Sequence, residues 1–204
     1  RVRVTVRGDL FPTTACAGSN QAEIVYLSPT SATDGTIAHV LEHLINASNH
    51  IRTNADAFED PWLDEALAHA AEDFAGRAAD GYSDTQLLGY TDITNGPNTS
   101  AYASYFQGNP ARYNAWLAAP QLFGGADTTA DTSSAARGAA WTLLRYTFDH
   151  YANGSPATLS HALAAGPTTG IYNLVSAAGA PLDSLIEGWL VANYATGYAV
   201  AGVA

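Results

Sequence analysis

His39 and His43 stand four residues apart in Thr36-Ile37-Ala38-His39-Val40-Leu41-Glu42-His43, a stretch with helically spaced apolar residues. On a helix the two imidazoles leave the same face about 40° apart, close enough to reach one metal ion. Such a pair recurs by chance, so spacing alone is a weak signal. A zinc centre with open chemistry needs a third protein ligand, often a carboxylate, and a vacant position for water. Glu65, 22 residues after His43 in Trp62-Leu63-Asp64-Glu65-Ala66-Leu67-Ala68, is the candidate third ligand.

Positioning these groups takes two helices and a connection. Asp34 can cap the first, which carries Ile37, Val40, Leu41, Leu44 and Ile45 at helical spacing. Residues 46–60 read as polar and irregular, and Pro61 then suits the first turn of a second helix over Trp62 to Ala79. Ahead of both, Arg1 to Arg7 alternates at period two and Glu23 to Leu27 is β-branched and aromatic, so short strands are expected with a loop between them. Gly81 to Asp131 is weakly patterned, with one short helix from Pro110 to Ala118, and reads as a binding rim or cover. Thr132 or Ser133 can cap a third long helix that Asn153-Gly154 ends. Three helical pieces follow over Ser155 to Ala165, Gly170 to Ala178 and Pro181 to Tyr194. The expected fold is mainly α with a small N-terminal β element: one domain over residues 1–204, with metal helices up to about residue 80, a rim over 81–131 and a helical part over 132–204.

These strings resemble the hyicolysin-like zinc peptidases of the gluzincin clan. The similarity lies in Thr36 to His39, His43-Leu44-Ile45-Asn46-Ala47-Ser48 and Trp62 to Glu72, then in Ala136 to Trp141, Leu144-Arg145-Tyr146 and Trp189 to Tyr194. It runs from Asp9-Leu10-Phe11-Pro12 onward, and its order and spacing are more specific than any single motif. The resemblance implies a zincin-like domain, a Zn2+ cofactor on His39, His43 and Glu65, a protein or peptide substrate and a secreted or periplasmic bacterial origin.

The chain departs from that pattern where the chemistry is most demanding. The family's general base follows the first histidine, but Val40 stands there, and Glu42 precedes the second histidine. H-x-x-E-H is the order of inverzincins such as pitrilysin. On the helix, positions 40 and 42 flank the histidine midline at about +80° and −80°, so Glu42 is a near mirror image of the missing base. Glu42 is therefore the candidate catalytic residue, taking a proton from zinc-activated water. His69, four residues after Glu65, is a candidate to orient a ligand from outside or to add one. Asp64 and Glu72 read as solvated helix charges. Arg137 and Tyr146 read as core hydrogen-bonding groups before oxyanion donors, and His50, His150 and His161 as surface or capping residues.

Composition narrows the field. Apolar residues make up 47% and charged ones 13%, a globular balance rather than a disordered one. A net charge of −11, from 19 acidic residues against eight arginines without lysine, disfavours nucleic acid and anionic membranes. The single Cys16 precludes an internal disulfide, and no stretch offers the roughly 20 apolar residues of a membrane span. With no methionine, residue 1 is not an initiator, which a removed signal peptide or a chosen boundary would explain. Three functions fit: a secreted zinc endopeptidase with its base at Glu42, a pseudo-peptidase keeping zinc for structure or peptide binding, and a zinc hydrolase of a non-peptide ester or amide behind a Tyr82 to Tyr113 rim.

Overall fold

Two 20-residue helices, the second of them alanine-rich, organise the described part of this protein. The computed structural model describes residues 3–5, 24–27, 32–53, 58–127, 130 and 133–195, and among these it is mainly helical. Helix α1 spans Asp34–Thr53 and α2 spans Pro61–Asp80. Short helices α3 (Tyr90–Thr94) and α4 (Gly108–Leu117), with a π-helical turn at Tyr102–Phe106 between them, precede α5 (Ser134–Tyr151). Then α6 (Pro156–Ala164), α7 (Gly170–Ala178) and α8 (Leu182–Ala195) complete the described chain. Residues Arg3–Thr5 (β1) and Ile24–Tyr26 (β2) pair antiparallel, Val4 opposite Val25. At three residues each they form a local pairing, and the expected loop over residues 8–20 lies outside the described residues.

Helix α2 is buried on most of its circumference, from Trp62 and Leu63 to Arg77 and Asp80. Leu63, Ala66, Leu67 and Ala70 meet Leu143, Leu144 and Phe148 of α5 in the core, and Trp116 of α4 stacks on Trp189 of α8 with ring centres 5.1 Å apart. A buried helix that also carries acids must neutralise them, because an unpaired buried charge costs several kcal/mol. Arginines from other helices do so: Arg137 reaches Glu65 at 2.9 Å, Arg112 reaches Glu72 at 3.4 Å and Arg145 reaches Asp73 at 3.0 Å. Gly138 makes this possible for α4 and α5, since a Cβ there would lie 2.2 Å from the Arg112 carbonyl oxygen. Any side chain at position 138 would force the α4 backbone at Arg112 away from α5.

Several local expectations need correction. Thr33, not Asp34, caps α1: its Oγ1 accepts from the Thr36 amide at 3.1 Å, while the Asp34 carboxylate accepts from the Tyr105 hydroxyl. The helix also continues past residue 45 to Thr53, because Asn46 and His50 are fully buried and anchor it. His50 is thus no surface residue, and its Nε2 lies 3.4 Å from Glu59. Elsewhere Ser133 caps α5 by accepting from the Ala136 amide, and α5 gives way to Asn153 and Gly154 at positive φ. No single helix among the described residues is long and apolar enough to cross a membrane.

Candidate metal centre

The i, i+4 geometry of α1 sends both imidazoles towards α2, where their Nε2 atoms come within 3.1 Å of each other. Glu65, in the first turns of α2, completes the group: Oε2 lies 3.8 Å from His39 Nε2 and Oε1 lies 4.0 Å from His43 Nε2. Tetrahedral zinc with ligand bonds of about 2.0–2.1 Å holds its ligand atoms about 3.3 Å apart, so shifts of about half an ångström would seat an ion. Glu65 Oε2 is buried without a hydrogen-bond partner, which is what an acceptor aimed at a cation would show. The donor set therefore fits zinc.

Each imidazole turns its other nitrogen to a second carboxylate. His43 Nδ1 lies 2.7 Å from Asp64 Oδ2, and His39 Nδ1 lies 2.9 Å from Glu72 Oε1. Neither contact has the alignment of a full hydrogen bond, but both place negative charge where a ligand histidine keeps its proton. Asn46 holds Asp64 from α1 with a 2.8 Å bond from its Nδ2. Asp64 and Glu72 are thus more than solvated charges. An acid one position before Glu65 and another seven after it were the available signal, readable only once α1 was known to cover that face.

Burial and charge set the protonation states. Burial alone would lower the pKa of His43, yet the Asp64 contact and the charges of Asp64 and Glu65 leave it raised. Glu65 is raised, chiefly by burial, against the opposing charges of Arg137, His43 and His39. Glu72 goes the other way: burial would raise it, but His39, His69 and Arg112 hold it at about 2. His69, fully buried, is pushed down to about 3 by desolvation and stays neutral.

Where the candidate residues stand relative to the cleft decides their chemistry. A cleft of about 360 Å³ is lined by Thr36, His39, Val40, His43, Glu65, Glu72, Arg112 and Arg137. Val40 thus faces the cleft. Glu42 instead lines a separate cavity of about 280 Å³ with Leu41, Ile45, Leu67, Phe74 and His161. Its Oε2 is buried without a partner, and its pKa is raised well above the carboxylate range, first by burial and then by Asp64, Glu59 and Glu65. It approaches His43 only in a group shared with Asp64, which meets the Nδ1 side of the ring. His69 groups with His39 and Glu72 and not with His43. Arg137 also donates to the Ala130 carbonyl at 2.6 Å, and Tyr146 packs on His150 away from the cleft lining.

Comparison with known protein families, with characterised proteins and with solved structures returned no match, so the site rests on its own geometry.

Proposed function

We propose that this chain is a zinc protein of metallopeptidase type, with His39, His43 and Glu65 as ligands, whose hydrolytic power is curtailed because position 40 holds no proton acceptor. The two Nε2 atoms 3.1 Å apart beside an unpartnered Glu65 oxygen carry the reading. The sequence resemblance to hyicolysin-like gluzincins and their zincin-like fold supports it, and points to a peptide as the occupant of the cleft.

Zinc, when bound, supplies Lewis-acid activation of water and of a carbonyl. The chain's own groups would then orient and neutralise: Asp64 and Glu72 hold the ligand rings, Arg137 offsets the Glu65 charge, and Val40 leaves an apolar wall where the family's glutamate would accept a proton. Glu42 as the base, the endopeptidase mechanism, would need its carboxyl to leave the separate cavity it lines and cross to the Nε2 side. The observation that Val40 and not Glu42 lines the cleft favours the impaired enzyme or peptide-binding form over a fully active secreted endopeptidase.

Zinc stoichiometry by metal analysis, followed by cleavage of an unfolded protein with and without chelator, tests this. One zinc per chain is expected, with weak or undetectable turnover in the unaltered protein. Loss of zinc binding in neither His43→Ala nor Glu65→Gln would remove the assignment, and strong activity abolished by Glu42→Gln would reinstate Glu42 as the base.

A further inference from the structure

Helices α1, α2 and α6 enclose the cavity that Glu42 lines, and no candidate zinc ligand is among its lining residues. Its walls are mostly apolar, with Leu41 and Ile45 from α1, Leu67, Ala70 and Phe74 from α2, and Ala164 from α6. Leu67, Ala70 and Ala164 are buried, whereas Leu41 and Ile45 are 44% and 56% exposed, so the cavity meets solvent beside α1. At about 280 Å³ it lies near the small end of pockets that take organic molecules, about 300–1,000 Å³. One acid interrupts this lining. Glu42 Oε2 is buried without a hydrogen-bond partner, and no arginine is among the lining residues to balance it. A Glu42 oxygen also lies within 4.8 Å of an Asp64 oxygen, and Asp64 Oδ1 accepts from Asn46 Nδ2 at 2.8 Å. Asn46, one turn along α1 from Glu42, is fully buried and leaves its own Oδ1 unpartnered. The charges of Asp64, Glu59 and Glu65 all act on Glu42. The cavity thus has an apolar body and a negative end where acceptors lack donors.

A buried acceptor without a donor is costly, and a ligand that supplies the donor recovers that cost. Water would bring the donor but neither a counter-charge nor contact with hydrocarbon walls. A primary ammonium on an aliphatic stem brings all three: three N–H donors, a positive charge and methylenes that pack on apolar surface. We propose that this cavity is a binding pocket for a short aliphatic primary ammonium, of which a lysine side chain is one form. Glu42 receives the head, and Leu41, Leu67 and Phe74 receive the stem. A guanidinium fits less well, because its five donors would be buried against a lining with one carboxylate. An anion would face Glu42 and the acids behind it. The chain has no lysine, so a second copy of it does not supply the group. The pocket is independent of the zinc reading of His39, His43 and Glu65.

Calorimetric titration of the whole chain with n-butylammonium provides the test, in about 0.15 M salt to screen the general attraction of a chain of net charge −11 for cations. One saturable site is expected. Butan-1-ol, which has the stem without the charge, and methylammonium, which has the charge without the stem, should each bind at least about 10-fold more weakly. Glu42→Gln keeps the shape and removes the charge, and should weaken butylammonium at least about 10-fold. Ala71→Leu, which adds bulk to the α2 wall of the cavity, should abolish binding. The melting temperature of each variant separates folding from affinity. Tighter binding of Nα-acetyl-lysine methylamide than of butylammonium identifies a lysine side chain as the source, and the reverse order a free amine; either order upholds the pocket. No saturable binding, butan-1-ol binding as tightly as butylammonium, or unchanged affinity in a folded Glu42→Gln would each overturn it and leave the zinc assignment untouched.

Discussion

The two flanks of α1 differ more than their sequence separation suggests. Val40 and Glu42 are two residues apart, yet one lines a cleft walled by charged groups and the other a cavity walled by Leu41, Ile45, Leu67 and Phe74. An apolar side chain has been placed among ions, and a carboxyl in a mostly apolar cavity whose polar lining is Asn49, Ser160 and His161. The side that carries the candidate metal ligands therefore has no proton acceptor at position 40, while on the other side burial, ahead of neighbouring acids, raises the Glu42 carboxyl well above its ordinary value. Having the right residue types on one helix does not suffice for catalysis, because a base must share the face of the proton it removes.

Exchanging the two flanks should break the contrast most visibly. Val40→Glu, measured as zinc-dependent peptide cleavage, is expected to raise turnover by about 10²- to 10⁴-fold, the usual worth of a general base. Because Val40 is only 3% exposed, a cost in thermal stability of about 2 kcal/mol should accompany it. No gain in a folded, zinc-loaded variant would indicate that something other than the missing base limits the chemistry.

Acid should next reveal the buried histidine of α2 behind the cleft residues. His69 has a folded pKa of about 3 against an ordinary 6.5, so the unfolded chain binds the extra proton between these values. Stability of the metal-free protein should therefore rise with pH from about 3 to 6.5, at up to about 1.4 kcal/mol per unit from this group. Denaturant titrations across that range should show the slope flattened in His69→Gln. A slope indifferent to that substitution would mean that His69 is not desolvated.

The opposite flank predicts the opposite sign and a smaller effect. Burial raises the Glu42 carboxyl well above its ordinary value in the folded state, so as pH rises past about 4.5 the unfolded chain gives up this proton first and folding loses stability. Glu42→Leu should therefore stabilise the protein by about 1–2 kcal/mol at pH 7, with the gain shrinking as pH falls towards 4.5. Glu42→Gln should leave cleavage and zinc affinity within about twofold, measured on the same preparations.

Much of the architecture was legible because it is local. Pro61 opens α2 at the residue expected, Ser133 caps α5, and Gly170–Ala178 is helical over the range its pattern indicated. Boundaries failed where distant partners intervened: the polar run after Ile45 looked irregular, yet burial of Asn46 and His50 keeps it helical to Thr53. The roles of Asp64 and Glu72 were hidden for the same reason, since a helix charge looks solvated until another helix covers it.

By itself the sequence determined which helices form and that His39 and His43 share a face, because an i, i+4 relation is a property of the backbone. It also marked Glu65 as an acid within reach. Only the tertiary structure decided that Glu65, Asp64 and Glu72 would surround those rings, that Arg112 and Arg137 would balance them, and that Glu42 would line a different, mostly apolar cavity. The rotation of one helix against its neighbours is set by the sum of many packing contacts, and no short motif encodes it.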